Sequence, residues 1–301
     1  MCFAIREANA QKLIGEKNWF TPTSIFQNKH MSVIDSFIES CSNVNKLADG
    51  GQKSVSSAEH SQYGAVVIKL GQYGKIGSLE RINREVELLR ELDSDFYPKH
   101  YEFLVDPMHS RFLIVEERLA AKELTHYREQ FDTDQKILDL LIQLVIALNI
   151  LWARKVVHRD LKPANILITA ENLPRIIDLG IARFLDSSSL TATIAAMGPA
   201  TPIYAAPEQL LNKKSMISPR TDFFNLGIIV AELMLGFHPF DPTKVGNNKS
   251  IVENILSGAF VRPGSDHDEL LVGFVNTVLN TQPYLRFRTP ENVMQYLGVI
   301  N

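Results

Sequence analysis

The stretch His158-Arg159-Asp160-Leu161-Lys162-Pro163-Ala164-Asn165 lies between two apolar runs and places an acid, a lysine and an asparagine in one short loop. A carboxylate accepts protons, an ammonium group neutralises negative charge, and an amide oxygen can bind a metal ion. These groups lie within a few residues of one another and their chemistry is complementary. The loop is therefore the strongest candidate for a catalytic site in this chain.

Transfer of a phosphoryl group needs this combination of groups. The stretch resembles the catalytic loop of eukaryotic-like (Hanks-type) serine/threonine protein kinases. The resemblance implies that Asp160 orients the attacking hydroxyl and accepts its proton, and that Lys162 neutralises charge on the γ-phosphate of ATP. It also implies that Asn165 holds Mg²⁺. Lys162 stands two residues after Asp160, as in serine/threonine kinases, whereas tyrosine kinases carry a different loop.

A second motif follows shortly after the loop, where a β-branched run ends in Asp178-Leu179-Gly180. It resembles the metal-binding Asp-Phe-Gly motif of the family, with Leu179 in place of Phe. The resemblance implies that Asp178 is the second ligand of Mg²⁺, for which Mn²⁺ is an alternative. Mg²⁺ prefers hard oxygen ligands and keeps much of its water, so one Asp, one Asn and phosphate oxygens suffice.

Upstream, Ala65-Val66-Val67-Ile68-Lys69 reads as a buried strand and resembles the Val-Ala-Ile-Lys motif, whose lysine grips the α- and β-phosphates. A helix that Ser78 could cap follows, with an apolar stripe at helical spacing. Glu85 shares that apolar face, and a carboxylate there needs a partner because burying an unpaired charge is costly. We therefore predict an ion pair between Lys69 and Glu85.

The phosphate-covering loop is the least regular motif. Residues 47–55 stand where the family has Gly-x-Gly-x-x-Gly-x-Val, but Ala48 and Lys53 replace the first and third glycines. Glycine matters there because backbone amides must approach the phosphates closely. We interpret the segment as a degenerate nucleotide-binding loop. Its candidate residues are Gly50, Gly51, Lys53 and Val55.

The run from Arg111 to Arg118 resembles the last N-lobe strand and the hinge of the family. The resemblance implies that Val115 is the gatekeeper beside the adenine pocket. It also implies that Glu116 to Arg118 supply hinge backbone groups to the nucleotide.

Downstream, Thr201-Pro202-Ile203-Tyr204-Ala205-Ala206-Pro207-Glu208 resembles the end of a kinase activation segment. By resemblance, Thr201 bridges Asp160 and Lys162, Glu208 pairs with Arg286, and Asp222 holds the backbone of the catalytic loop. Arg159 precedes Asp160, and this arrangement can respond to a phosphorylated activation loop. Candidate phosphorylation sites are Ser187, Ser188, Ser189, Thr191 and Thr193, although a plain flexible polar loop is the alternative.

Composition agrees with such a domain. The 301 residues are 45% hydrophobic, and their net charge of −3 offers no electrostatic case for nucleic acid or an anionic membrane. The 2 cysteines are too few for a disulfide framework, and a cytoplasmic location fits. The apolar runs 137–152 and 223–237 are interrupted by polar residues and shorter than a full span, so we interpret them as buried helices.

The predicted fold class is α+β: a two-lobed protein kinase fold with a small β-rich N-lobe carrying one key helix and a larger, mainly helical C-lobe. Residues 1–40 form an extension of unknown role with a candidate helix at 31–41, residues 41–118 the N-lobe and residues 119–301 the C-lobe. The absence of a large insertion between Asp222 and Arg286 resembles compact bacterial or phage-borne members.

The implied activity is an ATP-dependent serine/threonine protein kinase that acts on protein substrates and is able to autophosphorylate, with self-association for trans-autophosphorylation. One alternative is a pseudokinase or nucleotide-binding scaffold, which the irregular glycine loop favours. The other is a small-molecule phosphotransferase. The presence of Lys162, Thr201 and Arg286 argues against that alternative.

Overall fold

The computed structural model describes residues 31–49, 53–73, 76–178, 183–184 and 202–300. The first part forms a five-stranded antiparallel sheet in the order β1-β2-β3-β5-β4. Its strands are β1 (Cys41–Asp49), β2 (Lys53–His60), β3 (Gly64–Gln72), β4 (His100–Asp106) and β5 (Arg111–Glu117). The predicted β-rich N-lobe is confirmed.

The two faces of this sheet pack against different partners, because successive side chains of a strand point to opposite sides. On β5, Phe112 and Ile114 belong to the main core, which continues into the C-lobe. Leu113 and Val115 instead belong to a smaller cluster that includes Val66 of β3. We call the first side the inner face and the second the outer face.

A short helix, α1 (Val33–Glu39), covers the outer face. Ser32 caps it by accepting a hydrogen bond from the Asp35 amide, and Ile34 is fully buried in the outer cluster. Arg111 on β5 links the helix to the sheet, because its guanidinium donates hydrogen bonds to both carboxylate oxygens of Asp35, at 3.0 and 3.1 Å. The helix expected at 31–41 therefore forms and packs on the N-lobe. The rest of the extension lies outside the described residues.

On the inner side, α2 (Ile76–Glu91) carries the predicted apolar stripe, with Val86 and Leu89 buried in the main core. The prediction that Ser78 caps this helix is wrong, because the helix begins two residues earlier, at Ile76. An N-cap residue has to precede the first helical turn.

The C-lobe is built around α3 (Asp134–Ala153) and α5 (Pro219–Leu235). By length and composition, α3 could cross a membrane, yet its residues from Ile137 to Trp152 include a continuous buried stripe in the core. The spacing of Asp132 and Gln135 in the sequence predicts a capping box at the start of α3. That prediction is wrong, because Thr133 is the N-cap and Asp132 pairs with Lys136 instead. The apolar run that follows Asp222 predicts a helix that begins at Asp222, whereas α5 begins one turn earlier, at Pro219.

The remaining elements are short. The strands are β6 (Ala121–Glu123), β7 (Val156–Val157), β8 (Ile166–Thr169), β9 (Pro174–Ile176) and β10 (Arg183–Phe184). The helices are α4 (Pro207–Leu210), α6 (Pro242–Val245), α7 (Ile251–Ser257), α8 (Glu269–Val278) and α9 (Pro290–Tyr296). Helical 3₁₀ turns occupy Leu124–His126, Arg128–Gln130, Pro163–Asn165, Pro202–Tyr204, Lys214–Met216 and Pro283–Leu285. The sequence predicts short helices near 250–256, 269–279 and 290–297, and these correspond to α7, α8 and α9.

Candidate active site

The catalytic loop, defined here as His158–Asn165, connects β7 to β8 and concentrates three polar side chains around Asp160. The Asp160 carboxylate is only 6% exposed. Its Oδ2 accepts hydrogen bonds from Lys162 Nζ at 3.0 Å and from Asn165 Nδ2 at 3.0 Å. Asn165 Nδ2 also donates to the Asp160 carbonyl at 2.7 Å, which fixes the loop in a closed shape. The structure thus brings together the three side chains that the sequence singled out.

Burial and neighbouring charges shift the pKa of the Asp160 carboxyl. Burial raises the pKa of the Asp160 carboxyl, and the negative charge of Asp178 adds to this increase. The positive charge of Lys162 lowers the pKa, but the net shift is upward. A carboxylate with a raised pKa holds a proton more readily than an exposed one.

The backbone of the catalytic loop is held from the C-lobe by a carboxylate. Asp222 on α5 is fully buried and accepts hydrogen bonds from the amides of His158 at 3.0 Å and Arg159 at 2.9 Å. The indole of Trp152 donates to the same carboxylate at 2.9 Å. The resemblance implied the backbone contacts, but no sequence signal pointed to Trp152.

A second anchor was missed in the sequence. Gln209 is buried, and its Nε2 donates to the Arg159 carbonyl at 2.7 Å while its Oε1 accepts from the Ala206 amide at 3.0 Å. One side chain therefore links the segment that precedes α4 to the catalytic loop. Its position next to Glu208 was the available signal, although a glutamine at that point carries no distinctive chemistry by itself.

Asn165 and Asp178 lie at adjacent strand ends, because the Ile177 amide donates to the Asn165 carbonyl at 3.0 Å. The amide nitrogen of Asn165 faces Asp160, so the other side-chain atom, its carbonyl oxygen, points away from that contact. Asp178 is exposed and has φ 64°, in the left-handed region that non-glycine residues seldom occupy. An amide oxygen and a carboxylate at adjacent strand ends are hard oxygen donors of the kind that suit a divalent cation.

Lys69 lies on the inner face of the sheet. Its Nζ is 2.8 Å from Glu116 Oε2, and the two side chains are 12% and 5% exposed. Glu85 lies on α2, but its side chain is outside the described part of the structure, so the predicted Lys69–Glu85 pair remains a prediction. The contact with Glu116 was not foreseen, since the sequence suggested only a backbone role for that residue.

The hinge prediction needs correction at Val115. Its side chain is fully buried in the outer cluster with Leu113 and Ile68, on the face opposite to Lys69, so it does not line the inner face. The alternation of the strand puts Glu116 there instead. The amides of Glu117 and Arg118 donate to the carbonyls of Lys99 and Ala65, at 2.8 and 3.1 Å. These two donors are therefore already used within the N-lobe.

The glycine-loop candidates are only partly within the described residues. Gly50 and Gly51 lie outside them. Lys53 begins β2, and its ammonium group lies 5.8 Å from the ring centroid of Phe112, a cation–π contact on the inner face. Val55 stands opposite Lys69 in the β2–β3 ladder. The roles of these four residues in nucleotide binding remain predictions.

Of the predictions made for the activation segment, some fall on described residues and some do not. Thr201 and the candidate phosphorylation sites lie outside the described residues. Glu208 and Arg286 form a bidentate pair at 2.8 and 3.0 Å, and both side chains are at most 1% exposed. The hydroxyl of Thr221 also donates to Glu208 at 2.9 Å. The expected Glu208–Arg286 pair is therefore present.

Comparison with known proteins decides the family. The model of the protein kinase domain matches residues 41–297. The chain belongs to the protein kinase domain family. This kinase domain has the predicted two-lobed fold, with a sheet-rich N-lobe and a helical C-lobe.

Curated relatives of the kinase domain include serine/threonine kinases of bacteria and eukaryotes. It is 28% identical over 258 residues to the rat NUAK family SNF1-like kinase 2, covering 84% of this chain but 39% of the rat protein. It is 32% identical over 167 residues to serine/threonine-protein kinase PknA of Corynebacterium glutamicum, covering 54% of this chain and 35% of that protein. The chain thus spans well under half the length of these relatives.

Proposed function

We propose that this kinase domain is an active serine/threonine protein kinase that transfers the γ-phosphoryl group of ATP to protein hydroxyls. The observation that carries the proposal is the buried Asp160 carboxylate, held at 3.0 Å by both Lys162 and Asn165. A carboxylate, an ammonium group and an amide therefore lie together in one loop, which supports their proposed roles as catalytic base, cation and metal ligand. The names of the curated relatives support the same specificity.

The chemistry assigned to the loop follows from its contacts. Asp160 orients the substrate hydroxyl and takes its proton, and the raised pKa of this carboxyl favours that step. Lys162 places a positive charge beside the reacting group, where negative charge accumulates on the phosphoryl oxygens. Asp222 and Gln209 hold the loop backbone, so little rearrangement is needed when substrate arrives.

Two residues would hold a divalent cation, Asn165 through its side-chain carbonyl and Asp178 through its carboxylate. Such an ion supplies neutralisation of the phosphate charge of ATP. We propose Mg²⁺, with Mn²⁺ as an alternative, because the ligands are hard oxygen atoms. Lys69 is proposed to hold the α- and β-phosphates.

Protein substrates follow from the proposed activity, and self-association would allow one molecule to phosphorylate another. The candidate acceptors are the hydroxyls between Asp178 and Glu208. A cytoplasmic compartment is proposed because the chain has only 2 cysteines.

The test is incubation of purified protein with Mg²⁺ and γ-labelled ATP, alone and with a generic protein substrate, beside an Asp160→Ala variant. We expect label on serine or threonine in the wild type and a loss of about a thousandfold in the variant. Asp139→Asn, a change on the surface of α3, is the control and should label as the wild type does.

The same assay separates the alternatives. Absence of label from the wild type, together with retained ATP binding, would replace the proposal with a nucleotide-binding scaffold. Label on tyrosine would overturn the assigned specificity. Label on Asp160→Ala protein after addition of wild-type enzyme would establish that the transfer occurs between molecules.

A further inference from the structure

Three neighbouring strands bring three titratable side chains to one patch of the inner face. In the β3–β5 ladder Lys69 stands opposite Ile114, so Glu116 lies two residues further along β5 on the same side. In the β4–β5 ladder His100 stands directly opposite Glu116. Directly opposed residues project to the same face of a sheet. We call Lys69, Glu116 and His100 the inner triad.

Within the inner triad, Glu116 is paired with Lys69. The 2.8 Å separation of Lys69 Nζ and Glu116 Oε2, and the 5% exposure of the Glu116 side chain, describe a close, nearly buried ion pair. A carboxylate at such a position needs a cation, because an unpaired buried charge is costly. A lysine ammonium has three donors, so a bond to Glu116 leaves capacity for phosphate oxygens.

His100 does not compete for the carboxylate. Both of its ring nitrogens are buried without a hydrogen-bond partner within the described part of the chain. Burial lowers the pKa of His100, and the attraction of Glu116 only partly offsets this. A neutral imidazole leaves Lys69 as the cation that faces Glu116 in the triad.

We propose that Glu116 is a positioning residue for nucleotide binding, which holds the Lys69 ammonium where the α- and β-phosphates arrive. The physical reason is the flexibility of lysine, whose long side chain carries much rotamer freedom that must be lost when it grips a ligand. A strand-borne carboxylate restricts that freedom before the nucleotide binds. This inference rests on the proposed use of ATP. It gives Lys69 a carboxylate partner on β5 in addition to Glu85, the partner predicted on α2.

A purely structural ion pair would behave differently. If Glu116 only satisfied the charge of Lys69 within the fold, its replacement would affect every ligand of the site equally. A positioning role acts through Lys69 on phosphates alone. Nucleotides with and without phosphates therefore distinguish the two.

The experiment is calorimetric titration of the wild type and Glu116→Gln with Mg·ADP and, separately, with adenosine. Glutamine keeps the shape and a hydrogen-bond acceptor but removes the charge. We expect the dissociation constant of Mg·ADP to rise about tenfold. We expect that of adenosine to change less than about twofold. Glu102→Gln is the matched control and should match the wild type for both ligands, since this glutamate of β4 stands opposite Val115 on the outer face and accepts a hydrogen bond from the Tyr63 hydroxyl.

A double-mutant cycle with Lys69→Ala completes the test. In the Lys69→Ala background, Glu116→Gln should leave Mg·ADP affinity unchanged, because the residue through which it acts is gone. Unchanged or tighter Mg·ADP binding by Glu116→Gln alone would overturn the proposal, as would equal weakening for ADP and adenosine. If Glu116→Gln does not fold, Glu116→Asp, which keeps the charge on a shorter side chain, should weaken Mg·ADP selectively.

These titrations involve no phosphoryl transfer, so they are independent of the labelling assay. A wild type that binds Mg·ADP but transfers no label would overturn the proposed function. The titrations would still decide whether Glu116 positions Lys69 for nucleotide binding. A labelled wild type whose Glu116→Gln variant binds Mg·ADP normally would overturn the inference alone.

Discussion

The catalytic loop is held from outside its own element by Asp222 and Gln209, which bind its backbone from α5 and α4. Lys69 in the N-lobe is instead held by Glu116 on the neighbouring strand of the same sheet. The first arrangement depends on buried contacts between distant helices. The second depends on the register of two adjacent strands and one ion pair between side chains.

This difference shows how the two halves of the site meet different demands. Under the proposed function, the catalytic loop keeps a base, a cation and a metal ligand in fixed relation, and buried contacts to the loop backbone provide that rigidity. Under the same proposal, the N-lobe half admits and releases a nucleotide. A contact between two side chains can rearrange without disturbing the sheet, so we expect changes in the C-lobe half to have larger consequences.

The largest effect is expected from Asp222→Ala. Three buried N–H donors, from His158, Arg159 and Trp152, would lose their acceptor. Stability should fall by about 3–5 kcal/mol. Transfer activity of the folded fraction should fall about a hundredfold or more. Chemical denaturation and the labelling assay measure the two effects.

The control for this change is Asp132→Ala, which removes an exposed carboxylate paired with Lys136. It should leave stability almost unchanged, because an exposed ion pair contributes little. If Asp222→Ala were no worse than this control, the buried anchor would not be what distinguishes the two halves of the site.

A smaller effect is expected from pH, through His238 in the C-lobe half. Its Nε2 lies 3.0 Å from the Ile203 carbonyl, and burial lowers the pKa of His238 to about 4. Between pH 6.5 and 4 the unfolded chain binds a proton that the folded chain does not, so stability falls as the pH falls. The loss from this group should reach about 2 kcal/mol by pH 5 and level off below the folded pKa.

Denaturation of the wild type and His238→Gln at pH 7 and pH 5 would measure this contribution. The variant should lose less stability between these pH values, by about 2 kcal/mol. Parallel loss in both proteins would show that His238 is not responsible.

The smallest effect is expected on the outer face of the N-lobe, from Asp35→Ala. This carboxylate is 41% exposed and pairs with Arg111, which also binds the buried Asp106 at 2.9 Å. The change should cost less than about 1 kcal/mol and leave nucleotide affinity unchanged. Thermal melting and Mg·ADP titration provide the check. A loss of Mg·ADP affinity would mean that α1 contributes to the inner face, and the contrast between the two halves would need revision.

Much of the fold was predictable from local patterns. The short helices after Ser250, the apolar stripe of α3 and the β-branched strands all follow from periodicity and turn chemistry. Errors occurred at boundaries. Ser78 and Asp132 resemble good caps, but the helices began at neighbouring residues, since capping depends on the backbone path as well as on residue type.

Some residues of the candidate site could be identified from the sequence and others could not. Asp160, Lys162 and Asn165 could be named in advance because they are close in sequence and their chemistry is distinctive. Gln209, Trp152 and the side chain of Glu116 could not, since each acts on a residue that is distant along the chain. Val115 was assigned to the wrong face because a one-residue shift in a strand moves a side chain from one side of the sheet to the other.

The sequence by itself determined the chemistry of the catalytic loop and the family, because short-range motifs carry residue types that few other functions combine. Only the tertiary structure decided which carboxylate faces Lys69 and which buried groups hold the Arg159 backbone. The physical reason is that these contacts depend on strand register and on the packing of helices far apart in the chain, and neither quantity is encoded in any local stretch of residues.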